Sequence, residues 1–243
     1  MHMSSKPDNQ PSEPAMEGYG SLEKGLAGDY QLSISNLLSE SWEKTHGAKW
    51  TIHLAMGIYF GIYILLILAV AMAALVLPES GVLEIIIELT MLAITMPLWA
   101  GIYMIGVRRA VSAPIRAGQT LDYFSKTLPL FGLYLLMLIL ILVGFLLLII
   151  PGIYLSVAYM LAIPLMVDRN LGIWEALETS RKAINKRWFT IFGLTLVIML
   201  INLVAMIPLG LGLIWTIPMS TIAFGVLYRN IFGCSQQTIS GNL

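Results

Sequence analysis

Long apolar runs alternate with shorter polar segments along the chain from about residue 50 onward. Six such runs are present, bounded by charged residues or by proline and glycine: 50–77, 85–107, 128–150, 153–167, 188–207 and 209–231. Because a helix rises about 1.5 Å per residue, roughly 20 apolar residues cross the ~30 Å hydrocarbon core of a bilayer. The pattern therefore predicts six transmembrane helices, of which the fourth is short.

The segment 167–188, between the fourth and fifth runs, has a different pattern. Apolar residues from Trp174 to Trp188 recur there at the spacing of one helical face, and charged residues occupy the other face. Asp168 or Asn170 is the expected N-cap. The segment predicts an amphipathic helix that lies at the cytoplasmic membrane surface and leads directly into the fifth span.

The same pattern recurs along the chain. The segment before the first run is also amphipathic and also ends in a base followed by tryptophan, while the segment before the third run is a weaker example. Arg109, Arg169 and Arg229 follow the even runs at intervals of 60 residues. The expected fold is an all-α integral membrane protein with six transmembrane helices in three pseudo-repeated hairpins, each preceded by a cytoplasmic interfacial amphipathic helix. The repeats cover about 31–109, 110–169 and 170–231.

Composition agrees with a membrane protein and excludes an ordinary soluble domain. The 243 residues are 58% hydrophobic and 12% charged, with a mean hydropathy of +0.81, whereas soluble domains are about 25% charged. Residues 1–30 are polar, rich in proline, serine and glycine, and lack the apolar core of a signal peptide. We expect a disordered cytoplasmic tail over 1–30, a membrane domain over 31–231 and a short cytoplasmic tail over 232–243.

The charges are distributed asymmetrically. All 14 basic residues lie before the first span, in the second and fourth connections, or at the end of the sixth span. The positive-inside rule then predicts that both termini are cytoplasmic in a multi-pass protein of the bacterial inner membrane. The expected partners are membrane lipids, in particular the anionic cytoplasmic leaflet, and not nucleic acid; a second copy of the chain or another membrane protein is left open. The predicted lipid-headgroup contacts are Trp50, Trp174, Arg181, Lys182, Lys186, Arg187 and Trp188.

Three polar residues inside the predicted spans or at their edge form a second candidate site, because ionisable and polar groups are costly in a membrane. Glu84 and Glu88 lie four residues apart at the start of the second span, where they form either an outward-facing site for a cation or proton or a pair of carboxylates in headgroup water. Asn202 lies deep in the fifth span and makes either an interhelical hydrogen bond or a substrate contact. Gly57-x-x-x-Gly61 is a motif that allows close helix packing.

No reactive constellation is recognisable in the sequence. It has no P-loop, dinucleotide fingerprint, HExxH motif, cysteine pair or Ser-His-Asp set, and its single Cys234 is expected to be inert. We therefore predict no catalytic, cofactor-binding or metal-binding residue and a non-enzymatic protein.

The second half of the chain resembles a broad group of bacterial polytopic membrane proteins of unknown function, related to the membrane domain found ahead of glycerophosphodiester phosphodiesterases. The resemblance covers roughly the last 100 residues. The residues that carry it are Pro151-Gly152-Ile153-Tyr154, Pro164, Glu175-Ala176-Leu177, Ser180 and Trp188-Phe189. It implies a six-helix membrane module and brings no catalytic site, because the phosphodiesterase chemistry of those relatives belongs to a separate soluble domain.

Two functional hypotheses follow. The first is a non-enzymatic inner-membrane module that organises the bilayer or assists lipid or envelope homeostasis. The second is a small-solute or cation transporter or channel, whose kinked helices surround a central path lined by Glu88 or Asn202. A polar cavity between the second, fourth and sixth spans would favour the second hypothesis.

Overall fold

The computed structural model describes residues 19–76 and 80–240, which form helices and connecting turns without β-strand. Two short 3-10 turns, Ala117–Leu121 and Phe124–Lys126, lie between the fourth and fifth helices. The α-helices of the described residues are α1 Leu22–Ala27, α2 Ile34–Thr45, α3 Lys49–Ala74, α4 Gly81–Ala110, α5 Thr127–Leu147, α6 Ile149–Ala158, α7 Ala162–Arg169, α8 Ile173–Asn185, α9 Trp188–Met206, α10 Leu213–Phe232 and α11 Gln236–Ser240.

Five helical stretches among the described residues are long and apolar enough to cross a membrane. They are α3, α4, α5 with the turns before it, α6 together with α7, and α9. The sixth predicted span corresponds to α10, which has 20 residues and is long enough but is not apolar enough to be counted with these five. It is less apolar because Thr216, Ser220 and Thr221 lie in its first half and Arg229 near its end. These five apolar helices indicate that the chain is a multi-pass helical membrane protein.

The short fourth run is explained by a break between α6 and α7. Pro164 has no N–H, so the carbonyl of Met160 loses its helical donor, and the Tyr103 hydroxyl donates to it instead at 3.0 Å. The Ser180 hydroxyl donates to the Ala158 carbonyl at 2.7 Å and accepts from a backbone amide on the other side of the break. Side chains from α4 and α8 thus satisfy the backbone groups that the break exposes.

The helices are arranged as a buried inner set and a peripheral outer set. α4 packs closely on α10 and also contacts α7, and most side chains in the second half of α4 and in α7 and α10 are buried. α3 lies against α4 and α10, α5 against α4 and α6, and α9 against α6 and α10. Because protein surrounds α10, its polar residues do not have to face hydrocarbon.

One end of the bundle carries the polar elements. We call it the basic end and define it by α1, α2, α8, α11, the segment 111–126 and the last turns of α4, α7 and α10. At the opposite end the helices expose large apolar side chains, for example Leu75, Leu146, Ile150 and Leu209, the last of them 96% exposed. Exposed apolar surface of this extent is typical of a membrane or protein contact.

The prediction of a disordered tail over 1–30 is wrong for its last residues. Residues 19–30 are ordered and include the helix Leu22–Ala27. The buried Tyr30 hydroxyl donates to the Ala183 carbonyl at 2.7 Å, and the Gly20 amide donates to the backbone of α10 at 3.1 Å. These long-range hydrogen bonds hold a segment whose polar composition predicted disorder, while residues 1–18 lie outside the described residues.

Candidate functional site

Three arginines of the basic end bind carbonyl groups where helices terminate. Arg109 donates to two carbonyls at the end of α2, at 2.8 and 2.7 Å. Arg169 donates to the carbonyl of Phe232, the last residue of α10, at 2.8 Å. Arg229 donates to the carbonyl of Ala110, the last residue of α4, at 2.7 Å. The final carbonyls of a helix have no intrahelical donor and carry partial negative charge, so these cations stabilise the three helix ends.

Arg229 also forms a two-pronged ion pair with Glu40 of α2. Nη2 lies 2.8 Å from Oε2, Nη1 contacts Oε1, and the Tyr19 ring centroid lies 4.7 Å from the guanidinium carbon. The hydrogen bonds from Arg229 hold the pKa of the Glu40 carboxyl below its usual value. This one side chain therefore joins α2, α4, α10 and the N-terminal segment.

Asp168 is a second buried centre of the basic end. Its side chain accepts hydrogen bonds from the Tyr228 hydroxyl at 2.7 Å and from the Ser235 hydroxyl and amide at 2.9 and 3.1 Å. Arg169 Nε lies 3.2 Å away. The expected capping role of Asp168 is wrong, because it lies inside α7 and the N-cap of α8 is Gly172. It holds the segment after α10, so the predicted C-terminal tail is packed against the bundle at Ser235 and Thr238.

Arg108 is the most buried cation of this end among the described residues, at 1% exposure. Its guanidinium lies beside the Tyr123 phenol, but within the described part of the chain Nε and Nη2 find no hydrogen-bond partner. Burial raises the pKa of Tyr123 to about 12. Arg108 is thus a buried charge whose hydrogen-bonding capacity is only partly used.

The predicted headgroup cations separate into two kinds. Lys182, Lys186 and Arg187 are exposed at the end of α8, immediately before the apolar helix α9. Arg181 instead makes two hydrogen bonds to Glu178, at 2.8 and 2.7 Å, within α8. Lys182 Nζ lies 3.5 Å from the same carboxylate, but the Lys182 side chain remains 57% exposed. We call Lys182, Lys186 and Arg187 the basic rim.

The predicted tryptophans divide in the same way. Trp50 and Trp174 are mostly exposed, at 68% and 61%. Trp188 is half-buried: its indole stacks on Phe192 with ring centroids 4.9 Å apart, and its N–H donates to the Tyr154 carbonyl at 3.3 Å. Trp188 therefore fixes the α8–α9 corner to α6.

The apolar face of α8 is covered by protein. Leu177, Ser180, Ala183 and Ile184 are buried against the bundle, and α8 contacts α5, α6 and α7. Trp174 points away from this buried face, so the surface of α8 available to lipid is its charged side and its two ends.

A cavity of about 400 Å³ lies between the helices. Its walls come from α3, α4, α9, α10 and the α6–α7 break, and most of its lining side chains are apolar. The polar lining groups are the indole N–H of Trp99 and the side chains of Tyr103, Asn202, Ser220 and Thr221. The cavity thus opens among the second, fourth and sixth predicted spans, but with few polar groups.

Asn202 joins α9 to α10 across this cavity. Its Nδ2 donates to the Ile198 carbonyl at 2.9 Å and to the Ser220 hydroxyl at 2.8 Å, while its buried Oδ1 has no partner among the described residues. The structure does not bring Glu84 and Glu88 to it, because both lie exposed in the first two turns of α4 and do not line the cavity. Within residues 19–76 and 80–240, no three His, Cys, Asp or Glu side chains are grouped closely enough to hold a metal ion.

Comparison of the chain with protein-family models, with curated proteins and with solved structures finds no match.

Proposed function

We propose that this chain is a non-enzymatic protein of the bacterial inner membrane that binds anionic lipid headgroups at its basic end, and so organises the bilayer or serves lipid or envelope homeostasis. The observation that carries the proposal is the basic rim. Its three exposed cations immediately precede α9, whose second residue, Phe189, is 84% exposed. Cations beside exposed aromatic and apolar side chains match the boundary between headgroups and hydrocarbon.

The proposal includes six spans with both termini in the cytoplasm. α10 serves as the sixth span, in a position where α2, α4 and α9 shield its polar residues from lipid. This threading keeps every basic residue of the sequence on one side of the membrane, in agreement with the positive-inside rule.

The threefold repeat is supported by how the elements pack. The element before each outward span lies against the inward span of the preceding unit, in a closed cycle: α2 against α10, Ala117–Leu121 against α4, and α8 against α7. The residues that precede the three repeated arginines, Arg108, Asp168 and Tyr228, are all buried, and two of them bond directly. We propose that the three hairpins are related by an axis along the membrane normal.

The resemblance to the polytopic proteins related to the phosphodiesterase membrane domain remains part of the proposal. Two residues that carry it, Pro164 and Ser180, both act at the α6–α7 break. Pro164 removes the helical donor to the Met160 carbonyl, which the Tyr103 hydroxyl replaces, and the Ser180 hydroxyl bonds the Ala158 carbonyl and the Leu161 amide. A shared structural need of this kind accounts for these residue types occurring together.

The orientation is tested by labelling single cysteines. In a Cys234→Ser background, we expect Ser80→Cys to react with a membrane-impermeant maleimide in intact cells, and Arg116→Cys to react only after permeabilisation. Both positions are exposed at opposite ends of the bundle. Labelling of position 116 from outside intact cells would refute the proposed threading.

Headgroup binding is tested by replacing the basic rim with glutamine. Each cation near an anionic surface contributes about 1 kcal/mol, so the Lys182→Gln/Lys186→Gln/Arg187→Gln variant should lose roughly tenfold or more of its preference for anionic over zwitterionic lipid. Native mass spectrometry of protein released from mixed-lipid nanodiscs measures this preference.

The matched control is Lys24→Gln/Arg116→Gln, which removes two exposed cations that do not border a predicted span. It should leave the preference nearly unchanged. A rim variant that retains the preference of the native protein would refute headgroup binding at this site.

The presence of a cavity among the second, fourth and sixth predicted spans is the one observation that supports the transporter hypothesis. Its described lining contains no Asp, Glu, Lys, Arg or His side chain, so it does not favour transport of a cation. The chemistry of its walls instead favours a neutral ligand from the membrane.

A further inference from the structure

The amide and hydroxyl groups of the cavity have already donated their hydrogens. Both Asn202 Nδ2 hydrogens are used, by the Ile198 carbonyl and Ser220. The hydroxyls of Ser220, Thr221 and Tyr103 each donate to a backbone carbonyl, at 2.6, 3.1 and 3.0 Å. What these amide and hydroxyl groups still offer to a ligand are acceptor lone pairs.

One of these acceptors is buried and unused. Asn202 Oδ1 has no hydrogen-bond partner among the described residues, and its assignment as oxygen follows because the other amide atom faces the Ile198 carbonyl, which can only accept. A buried acceptor without a partner is unfavourable. A ligand that brings a hydroxyl into the cavity removes this cost.

Charge and size narrow the class of ligand. An anionic headgroup would find no cation in the described lining and the indole N–H of Trp99 as the donor beside acceptors and apolar walls. An ammonium group would be buried without a counter-ion, so either group would be costly. The volume of about 400 Å³ lies within the range of roughly 300–1,000 Å³ typical of small-molecule sites. The lining residue Trp99 is 42% exposed on the outer surface of α4, which places the entrance on the side that faces lipid.

We infer that this cavity binds a neutral lipid with an aliphatic body and a free hydroxyl, which donates to Asn202 Oδ1. The aliphatic chain lies along the apolar walls formed by residues such as Met56, Ile102 and Phe224. This inference deepens the proposed lipid-binding function and rests on it for the membrane as the source of the ligand. It concerns a different surface from the basic rim.

The probe for the test is a diazirine-bearing hexadecanol added to the full-length protein in zwitterionic nanodiscs. After photolysis, mass spectrometry should locate the label on α9 and α10 peptides around Asn202 and Ser220. Unlabelled hexadecanol should compete about tenfold better than its methyl ether, because the ether has the same chain but no hydrogen to donate. In Asn202→Leu, the alcohol and the ether should compete equally.

Two further variants separate the possible outcomes. Ile217→Trp, which fills the cavity, should abolish labelling, while the rim variant should retain it even if its preference for anionic lipid is lost. If hexadecanol and its methyl ether compete equally with the probe on the native protein, the inference is overturned whatever the variants show. Labelling outside the cavity walls would overturn it as well.

Discussion

Replacing Gly225 by valine should lower the free energy of unfolding by about 3 kcal/mol or more. At the crossing of α4 and α10, a Cβ atom on Gly225 would lie 2.2 Å from the carbonyl oxygen of Gly106, and one on Gly106 would lie 2.3 Å from the carbonyl oxygen of Thr221. These neighbours are backbone atoms of helices, which cannot move aside as a flexible side chain can. The two innermost helices would have to separate and lose their packing.

The measurement is thermal unfolding of the purified protein in a mild detergent, where such a loss should lower the midpoint by about 6–12 °C. The matched control is Gly61→Val, since a Cβ at Gly61 has no described atom within 4 Å apart from the nearby backbone of its own helix. That variant should remain within a few degrees of the native midpoint. Equal midpoints for Gly225→Val and Gly61→Val would contradict the close helix crossing.

This pair of glycines also marks where sequence reasoning reached its limit. Gly57-x-x-x-Gly61 is a recognisable spacing on one helix, yet among the described residues no atom beyond the nearby backbone of that helix lies within 4 Å of a Cβ added to either glycine. Gly106 and Gly225 meet at the crossing of α4 and α10, and they lie 119 residues apart. Spacing along one helix identifies small residues but does not show which second helix approaches them.

The apolar helices were predictable because hydrocarbon length and backbone hydrogen bonding leave few alternatives. The run 50–77 became α3, Lys49–Ala74, and the run 188–207 became α9, Trp188–Met206. The prediction was less accurate for 153–167, where the helix starts at residue 149 and contains a break. The proline was visible in the sequence, but Ser180 and Tyr103, which make the break tolerable, are remote from it.

The buried polar centres could not be predicted from local pattern. Asp168 has the composition and position of a helix cap, and its burial depends on Tyr228 and Ser235, which are 60 and 67 residues further along the chain. The repeat contained one usable signal, since Asp168 and Tyr228 precede arginines that are 60 residues apart. If the repeats surround a common axis, Asp168 and Tyr228 occupy equivalent positions in two repeats and are expected to meet near that axis.

Replacing Arg229 by methionine should lower the free energy of unfolding by about 3 kcal/mol, because removal of one partner from a buried ion pair leaves the other without compensation. The Arg229 side chain is 7% exposed, and the substitution removes its bonds to Glu40 and to the Ala110 carbonyl. Glu40 is 33% exposed, so water can solvate its unpaired carboxylate. This solvation keeps the loss of stability at the lower end of the range for buried ion pairs. In mild detergent, the expected fall in the unfolding midpoint is about 6–12 °C.

The matched control is the same substitution at Arg108, which is buried to at least the same degree. Nε and Nη2 of Arg108 have no hydrogen-bond partner among the described residues, so methionine should leave stability within about 1 kcal/mol of the native protein or raise it. The double variant Glu40→Met/Arg229→Met should recover part of the loss caused by Arg229→Met alone, since it removes the unpaired carboxylate. If Arg108→Met and Arg229→Met were equally destabilising, packing volume and not the ion pair would hold α2 against α10.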